Sequence, residues 1–366
     1  MKILHTEASK GWGGQEIRTL DEAEGLRARG HDVQLAAPLE ATIFEAAKRR
    51  AIPVHTIALD RRRLRSLLAL RALIREFEPD VVVSHSSSDS WLVAAATRFL
   101  SPRPAIVRLR HISGAVAQGP LNRWLYGRVP ARVVTTGVAI NNMLIERLSL
   151  DPAHVVAIPT GIDLDRFKPG DRSAAREALG LPVEAKLIGI VATLRSWKGH
   201  RFLVAAMTDP KLAGARLVLV GDGPQEPALR AQIAELGLGE RVTLAGRQED
   251  VRPWLRALNV FVLPSTANEG LPQALMQAMA CELPVVTTAA GAIPELVRGG
   301  ENGLVVPSES PAALAEAVAR LLDDRVLAGR LAAAGRREVE QKHTKAAMLD
   351  AMEDVFRAAI AKQSRA

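Results

Sequence analysis

Residues 158–171 read IPTGIDLDRFKPGD, with two prolines and two glycines in fourteen positions. Proline locks φ and removes a backbone donor, and glycine loosens the chain, so neither a helix nor a central strand runs through such a stretch. It decides the fold because the same pattern lies on both sides of it. Before it, the short apolar runs KILHT, HDVQLAAP, DVVVSH, AIVRLRH and RVVTTG alternate with helical periods. One such period is Gln15 to Arg29, where Ile17, Leu20, Ala23 and Leu26 share a face and Gly30 is the stop. After it, AKLIGIVA, RLVLVGDG, RVTLAG, NVFVLPS, LPVVTT and NGLVVP repeat the alternation. Strands separated by helices predict a parallel, doubly wound sheet. The expected fold class is α/β, with two Rossmann-like doubly wound domains in tandem facing a cleft. The expected boundaries are 1–165 and 166–343, followed by a helical segment 344–366. That last helix carries Met348, Met352, Val355, Phe356 and Ile360 on one face, and we expect it to cross back onto the first domain.

The totals agree with this division. A chain of 366 residues is long for a single core, and 48% hydrophobic residues can fill two. The one cysteine, Cys281, excludes an intrachain disulfide and sits in an apolar run, which reads as core. Charge returns early in MKILHTE, and no apolar stretch approaches a membrane span, so a soluble cytoplasmic protein is expected. A net charge of +8 suits nucleic acid, an anionic membrane surface or phosphorylated substrates. Only 4% of residues are aromatic and no nucleic-acid module is recognisable, so no nucleic-acid partner is expected.

Doubly wound sheets bind ligands at the carboxyl ends of their strands. KGWGGQE follows the first strand, and its Gly13 and Gly14 let backbone approach a ligand where a helix begins, a place suited to an anion. The spacing is not GxGxxG and no acidic residue promptly follows the second strand, so a nicotinamide cofactor is not indicated. His85 and His111 end later strands, where an imidazole can meet a sugar hydroxyl or move a proton. In the second half, TLRSWKGHR puts Thr193, Arg195 and Lys198 after its first strand, and the cations can neutralise a departing diphosphate. In NEGLPQALMQAMA, Glu269 and Gly270 precede a helix that Pro272 helps to start. The backbone N–H groups of Leu271 and Gln273 are free to point at a ligand, and Gln273 and Gln277 share a helix face. Leu275, Met276 and Met279 face the core. DLD at 163–165 imitates a metal motif but lies in the hinge, and GDGP at 221–224 is too short to be more than a turn. No metal site is expected.

These pieces together resemble the retaining GT-B glycosyltransferases of family four. GWGGQE, RGHDV, IPTGIDLDRF, KGH, VFVLPSTANEGLPQALMQAMACELPVV and GAIPELVRGGENGLVVP occur in the family's order over nearly the whole chain. The EGLPQALMQAMA variant looks most like enzymes that build lipopolysaccharide core or related envelope glycans. The resemblance implies that Glu269 holds donor-sugar hydroxyls, that Lys198 binds phosphate, that Gly13 and Gly14 form the family's glycine pair, and that His111 lies near the reaction centre. Two positions depart from it. Gln277 stands where a second glutamate usually holds the ribose, and Thr193 stands where an arginine precedes the lysine, with Arg195 two residues away as a substitute.

The implied reaction moves a hexosyl unit from a nucleoside diphosphate sugar, a substrate rather than a cofactor, to a hydroxyl of a glycan or lipid-linked acceptor. Double displacement needs a carboxylate nucleophile. Glu269 is the one candidate and has another role, so a same-face route without metal is expected. The segment DRRRLRSLLALRALIRE carries six arginines, Arg61, Arg62, Arg63 and Arg65 among them, interleaved with leucines. It suits an anionic membrane, on the inner face of the cytoplasmic membrane, or an ordinary half-solvated helix. Two other classes stay open: a nucleotide-sugar epimerase on the same fold, and a binding protein that never turns over.

Overall fold

The computed structural model describes residues 1–61, 63–267 and 269–364. Arg62 of the basic segment and Asn268 before Glu269 lie outside the described residues. The chain forms two units, Met1–Gly161 with Lys345–Ala366, and Ile162–Thr344. Ile162 opens the second unit because its N–H binds the His343 carbonyl at 2.8 Å and its side chain joins the second core.

The first unit holds strands β1 (Lys2–Thr6), β2 (Asp32–Ala37), β3 (Val54–Thr56), β4 (Val81–Ser84), β5 (Ala105–Arg110), β6 (Arg132–Thr135) and β7 (Val155–Ala157). Their order is β3-β2-β1-β4-β5-β6-β7, and every neighbouring pair is parallel. A parallel sheet is covered on both faces, which is why its strands read as unbroken apolar runs. Ile3, Val81, Val83 and Val107 pack into one layer, and Leu4, Val82 and Ile106 into the other. Helix Lys345–Gln363 completes the first of these layers with Met348, Met352 and Phe356.

The second unit holds β8 (Lys186–Val191), β9 (Ala215–Val220), β10 (Val242–Gly246), β11 (Val260–Leu263), β12 (Val285–Thr288) and β13 (Leu304–Val306), in the order β10-β9-β8-β11-β12-β13. These pairs are parallel too. In each sheet the strand order reverses once, between β1 and β4 and between β8 and β11. Loops diverge at such a switch point and leave room for a ligand at the strand ends.

Candidate active site

At the switch point of the second sheet, the loop after β8 carries Lys198 and the loop after β11 carries Glu269. Lys198 Nζ donates to both carboxylate oxygens of Glu269, at 2.7 and 2.9 Å. Ser265 Oγ donates to Glu269 Oε1 at 2.5 Å, and Thr288 donates to the Ser265 carbonyl. Glu269 is only 4% exposed, so its charge is compensated by this set rather than by bulk water. The ammonium has three N–H donors, and Glu269 takes two directions of it.

Two glycines let the loops come this close. A Cβ on Gly199, at φ +74°, would lie 1.9 Å from the Pro264 carbonyl oxygen. One on Gly291, at φ +57°, would lie 2.1 Å from the Glu269 carbonyl oxygen, which accepts the Ala292 N–H at 3.2 Å. The backbone of Glu269 is therefore gripped from the loop after β12 while its side chain is held from the loop after β8.

Helix Gln273–Ala280 begins directly after this loop, with Pro272 as its N-cap, one residue before the first helical position. Gly270, Leu271, Pro272, Gln273 and Gln277 are all buried, and Leu275, Met276 and Met279 fill the core. Gln273 Oε1 is buried with no hydrogen-bond partner. Thr193 is half-buried and its carbonyl accepts the Arg195 N–H at 2.8 Å. Arg195 is exposed, with its guanidinium 5.8 Å from the Trp197 ring, and does not join the Lys198–Glu269 pair. His200 is 2% exposed with both ring nitrogens unpartnered, and burial, then the Lys198 charge, lowers its pKa to about 3.

The first sheet presents different chemistry at its switch point. His5 lies within β1 on the face of Ile3, His85 follows β4 and His111 follows β5. His5 Nδ1 is 3.0 Å from His85 Nε2, and His85 Nδ1 is 3.0 Å from His111 Nε2. The rings lie edge to edge and nearly coplanar, with centroids 5.3 Å apart and tilts of 20° and 22°. His5 and His85 are buried and His111 is half-buried. Burial is the first cause that lowers all three, His5 to about 3 and the other two well below 6.5, so all are neutral near pH 7. Beneath His5, Glu22 Oε1 lies 3.9 Å from His5 Nε2, and Arg18 Nε lies 3.7 Å from Glu22 Oε2.

Gly13 caps helix Gly14–Ala28 and Gly14 begins it. Glu16, in the first turn, is buried, and its Oε2 lies 3.6 Å from where a Cβ on Gly13 would stand. Glu7, after β1, is fully buried and accepts Ser9 N–H at 2.8 Å and Gln15 Nε2 at 2.7 Å. Burial, then Asp89 and Glu16, pushes the Glu7 carboxyl well above its usual range. The anion expected at this helix start thus meets carboxyl groups already in place, which makes the turn better suited to hydroxyls.

The remaining sequence candidates fall outside both sets. Asp163 Oδ1 accepts the N–H groups of Asp165 and Arg166 at 3.1 Å, so DLD is a turn that caps itself. Asp222 of GDGP uses its carbonyl to accept Leu194 N–H at 2.8 Å. Cys281 is buried and its thiol is pushed up to about 11, which leaves it unreactive. Among the described residues no His, Cys, Asp and Glu side chains gather as a metal-binding group. The basic segment forms helix Leu64–Phe77, where Leu64 and Leu68 are exposed beside Arg61, Arg63 and Arg65, and Leu70 is buried. No helix among the described residues is long and apolar enough to cross a membrane.

Sequence reasoning passed over His5, Glu22, Glu7 and Ser265. A polar residue inside an apolar strand was the available signal for His5. Ser265 had none, because a serine after a strand is ordinary.

Known proteins place these two units. Residues 12–166 match the family model Glycosyltransferase Family 4, and residues 185–324 match that of glycosyl transferases group 1. The D-inositol 3-phosphate glycosyltransferases of Mycobacterium bovis and Mycobacterium tuberculosis are 36% identical over 187 residues, 49% of this chain. The match takes in 38% of those proteins, well under half the length of the curated relatives. The crystal structure of Anabaena HepE with UDP and glucose superposes with a TM-score of 0.88 at 22% identity, over 98% of this chain and 99% of that one. Sucrose-phosphate synthase from Thermosynechococcus elongatus gives 0.83 at 22% identity, over 99% and 100%. At such identities the likeness is one of fold. With one family model on each unit and the two-sheet fold of these structures, the chain belongs to the family-four glycosyltransferases of the GT-B fold.

Proposed function

We propose that the chain transfers a hexosyl unit from a nucleoside diphosphate sugar to a hydroxyl of a glycan or lipid-linked acceptor, with retention at the anomeric carbon. The observation that carries this reading is the Lys198–Glu269 pair at the strand-order reversal of the second sheet. A carboxylate there accepts two hydrogen bonds from vicinal sugar hydroxyls. The ammonium beside it meets the β-phosphate, which is joined through oxygen to C1 of the same sugar. The pair then loosens as the donor enters, and each partner exchanges the other for a group on the substrate. Solved complexes of the fold with UDP and with UDP-glucose support a nucleotide-sugar donor.

In the transfer step the bond from C1 to the leaving phosphate oxygen breaks and the bond from C1 to the acceptor oxygen forms on the same face. The acceptor's proton passes to the leaving phosphate. Lys198 stabilises the charge that develops there, which is the term worth most in such chemistry. The family resemblance assigns His111 to a substrate hydroxyl. The acceptor side is read on the first unit, where the half-buried His111 ends the imidazole chain and offers a ring nitrogen to a hydroxyl. An envelope glycan as the product rests on the EGLPQALMQAMA resemblance. The exposed Leu64 and Leu68 among arginines suit contact with an anionic membrane.

The test is incubation with UDP-, GDP- and ADP-hexoses, with and without polyol and lipid-linked acceptors, following diphosphate release and the anomeric coupling of the product by NMR. Acceptor-dependent release with an unchanged anomer is expected. Sugar isomerisation without acceptor would replace this reading by an epimerase, and binding without turnover by a nucleotide-sugar binding protein. Sedimentation with phosphatidylglycerol vesicles in low and high salt tests the membrane contact, which indifference to both would remove.

A further inference from the structure

The two ring-to-ring hydrogen bonds of the first unit constrain one another. A neutral imidazole has one donor nitrogen and one acceptor nitrogen. His85 uses both, Nε2 toward His5 and Nδ1 toward His111. Only two proton orders satisfy both bonds. In one, every ring is protonated at Nε2 and the donors point inward: His111 to His85, His85 to His5, and His5 toward Glu22. In the other, every ring is protonated at Nδ1 and all donors point outward. Fixing one ring therefore fixes all three.

We propose that Glu22 sets this order from beneath, and that His5 and His85 transmit it to His111, so that His111 Nδ1 is held as a hydrogen-bond acceptor for a substrate hydroxyl. Glu22 Oε1 and His5 Nε2 face each other at 3.9 Å with no other partner for either atom. That is too long for a hydrogen bond, and the coupling is by charge: a carboxylate at this spot favours N–H over a lone pair on the facing nitrogen. Both side chains are fully buried, so water does not screen them. The inward order follows. His5 and His85 are positioning residues, since neither is placed against substrate.

The other groups facing the chain do not reverse it. Thr19 Oγ1 is 3.4 Å from His85 Nδ1, but its own proton goes to the Gln15 carbonyl at 3.0 Å, and the ring bond is shorter. Asp89 holds the His85 backbone N–H at 2.8 Å and leaves its ring alone. Burial, then Arg18 and Arg110, lowers His111 and keeps it neutral. Glu7 makes its hydrogen bonds to Ser9 and Gln15. Burial raises the Glu22 carboxyl to about 7 against the pull of Arg18, so the inward order belongs to pH above that value, with the carboxylate charged.

The role of His111 toward a hydroxyl rests on the proposed transfer reaction, but the proton order does not, and its test uses no substrate. The full chain is labelled with 15N-histidine, and two-bond proton–nitrogen correlations are recorded at pH 8, with His111→Gln assigning the His111 signals. The expected result is a lone-pair type Nδ1 and a protonated Nε2 at His111. In Glu22→Gln the charge is gone while Arg18 remains, and His111 should lose that pattern, by exchange of the two types or by averaging. A merely structural role for Glu22 would not reach across two rings. His5→Phe keeps a planar ring and removes its nitrogens, and should abolish the pattern as well if Glu22→Gln does not fold. A protonated Nδ1 at His111 in the natural protein, or an unchanged His111 pattern in a folded variant, would overturn the proposal.

Discussion

The two sheets share a topology and differ in what they set at the point where strand order reverses. After β8 and β11 stands one ion pair, Lys198 with Glu269, fastened by Ser265 and by the backbone grip at Gly291. Around β1, β4 and β5 stand three neutral imidazoles and buried carboxyls pushed toward their protonated forms. On the proposed function, the first arrangement exchanges a protein charge for a substrate charge. The second is made of groups that give and take hydrogen bonds with little net charge. A doubly wound sheet provides the place, and the residues at the strand ends decide what sort of ligand the place suits.

Removing the carboxylate breaks the comparison most severely. Glu269→Ala would delete the two charge-assisted hydrogen bonds proposed to the donor, each worth roughly 1.5–3 kcal/mol. Transfer should fall roughly 10²- to 10⁴-fold. Steady-state assays with the preferred donor check this, and the His111 nitrogen pattern of the other unit should stay as it was.

Acid acts on the two units differently. His200 in the second unit is held at about 3 in the folded chain, against an ordinary value near 6.5. Between those values the unfolded chain binds the proton and the folded chain does not. The contribution of His200 is therefore intact above pH 6.5 and is lost as pH falls toward 3, by about 1.4 kcal/mol per pH unit. His200→Phe should flatten the acid limb of denaturant-derived stability by that slope. In the first unit the lowered histidines are opposed by Glu22, whose raised carboxyl penalises the folded state as pH rises from 4.5 to about 7. His5→Phe and Glu22→Gln should accordingly change the slope with opposite signs.

Gly291→Ala sharpens the account of how Glu269 is held. The added carbon would lie 2.1 Å from the Glu269 carbonyl oxygen at a φ of +57°. A loss of about 1–3 kcal/mol of stability is expected from the strain, with weakened sugar binding and an unaltered first unit. Thermal unfolding and donor titration measure the two parts. Gln277→Glu carries the smallest effect. A charged acceptor bonds a ribose hydroxyl roughly twice as strongly as a neutral one, so the nucleoside diphosphate should bind up to about tenfold tighter by calorimetry.

Much of this was legible in the chain, for reasons that differ by region. Parallel strands covered on both faces leave apolar runs such as VVVS and VFVL, and these locate both sheets. The Glu269 loop was legible because its residues are contiguous with the helix they precede. The imidazole chain was not, since its bonds join residues 80 and 26 positions apart, and His5 hides inside an apolar strand. Gly13 and Gly14 do open a helix start, and the buried Glu16 in its first turn and the Glu7 carboxyl, pushed toward its protonated form, stand where the sequence suggested a ligand's anion. Arg195, two residues from the position the resemblance points to, has its guanidinium 5.8 Å from the Trp197 ring, a placement the sequence does not show.

The most direct test of the central claim is a thermal-shift panel of UDP, GDP, ADP and CMP, and of the matching nucleotide sugars, on the natural chain and on Glu269→Ala. A ligand that binds the folded state alone raises its stability with RT ln(1 + [L]/Kd). The account predicts that one diphosphate stabilises both proteins and that its sugar conjugate adds a further shift only where Glu269 is present. A sugar-dependent increment that survives in Glu269→Ala, or no stabilisation of either protein at millimolar nucleotide, would contradict it.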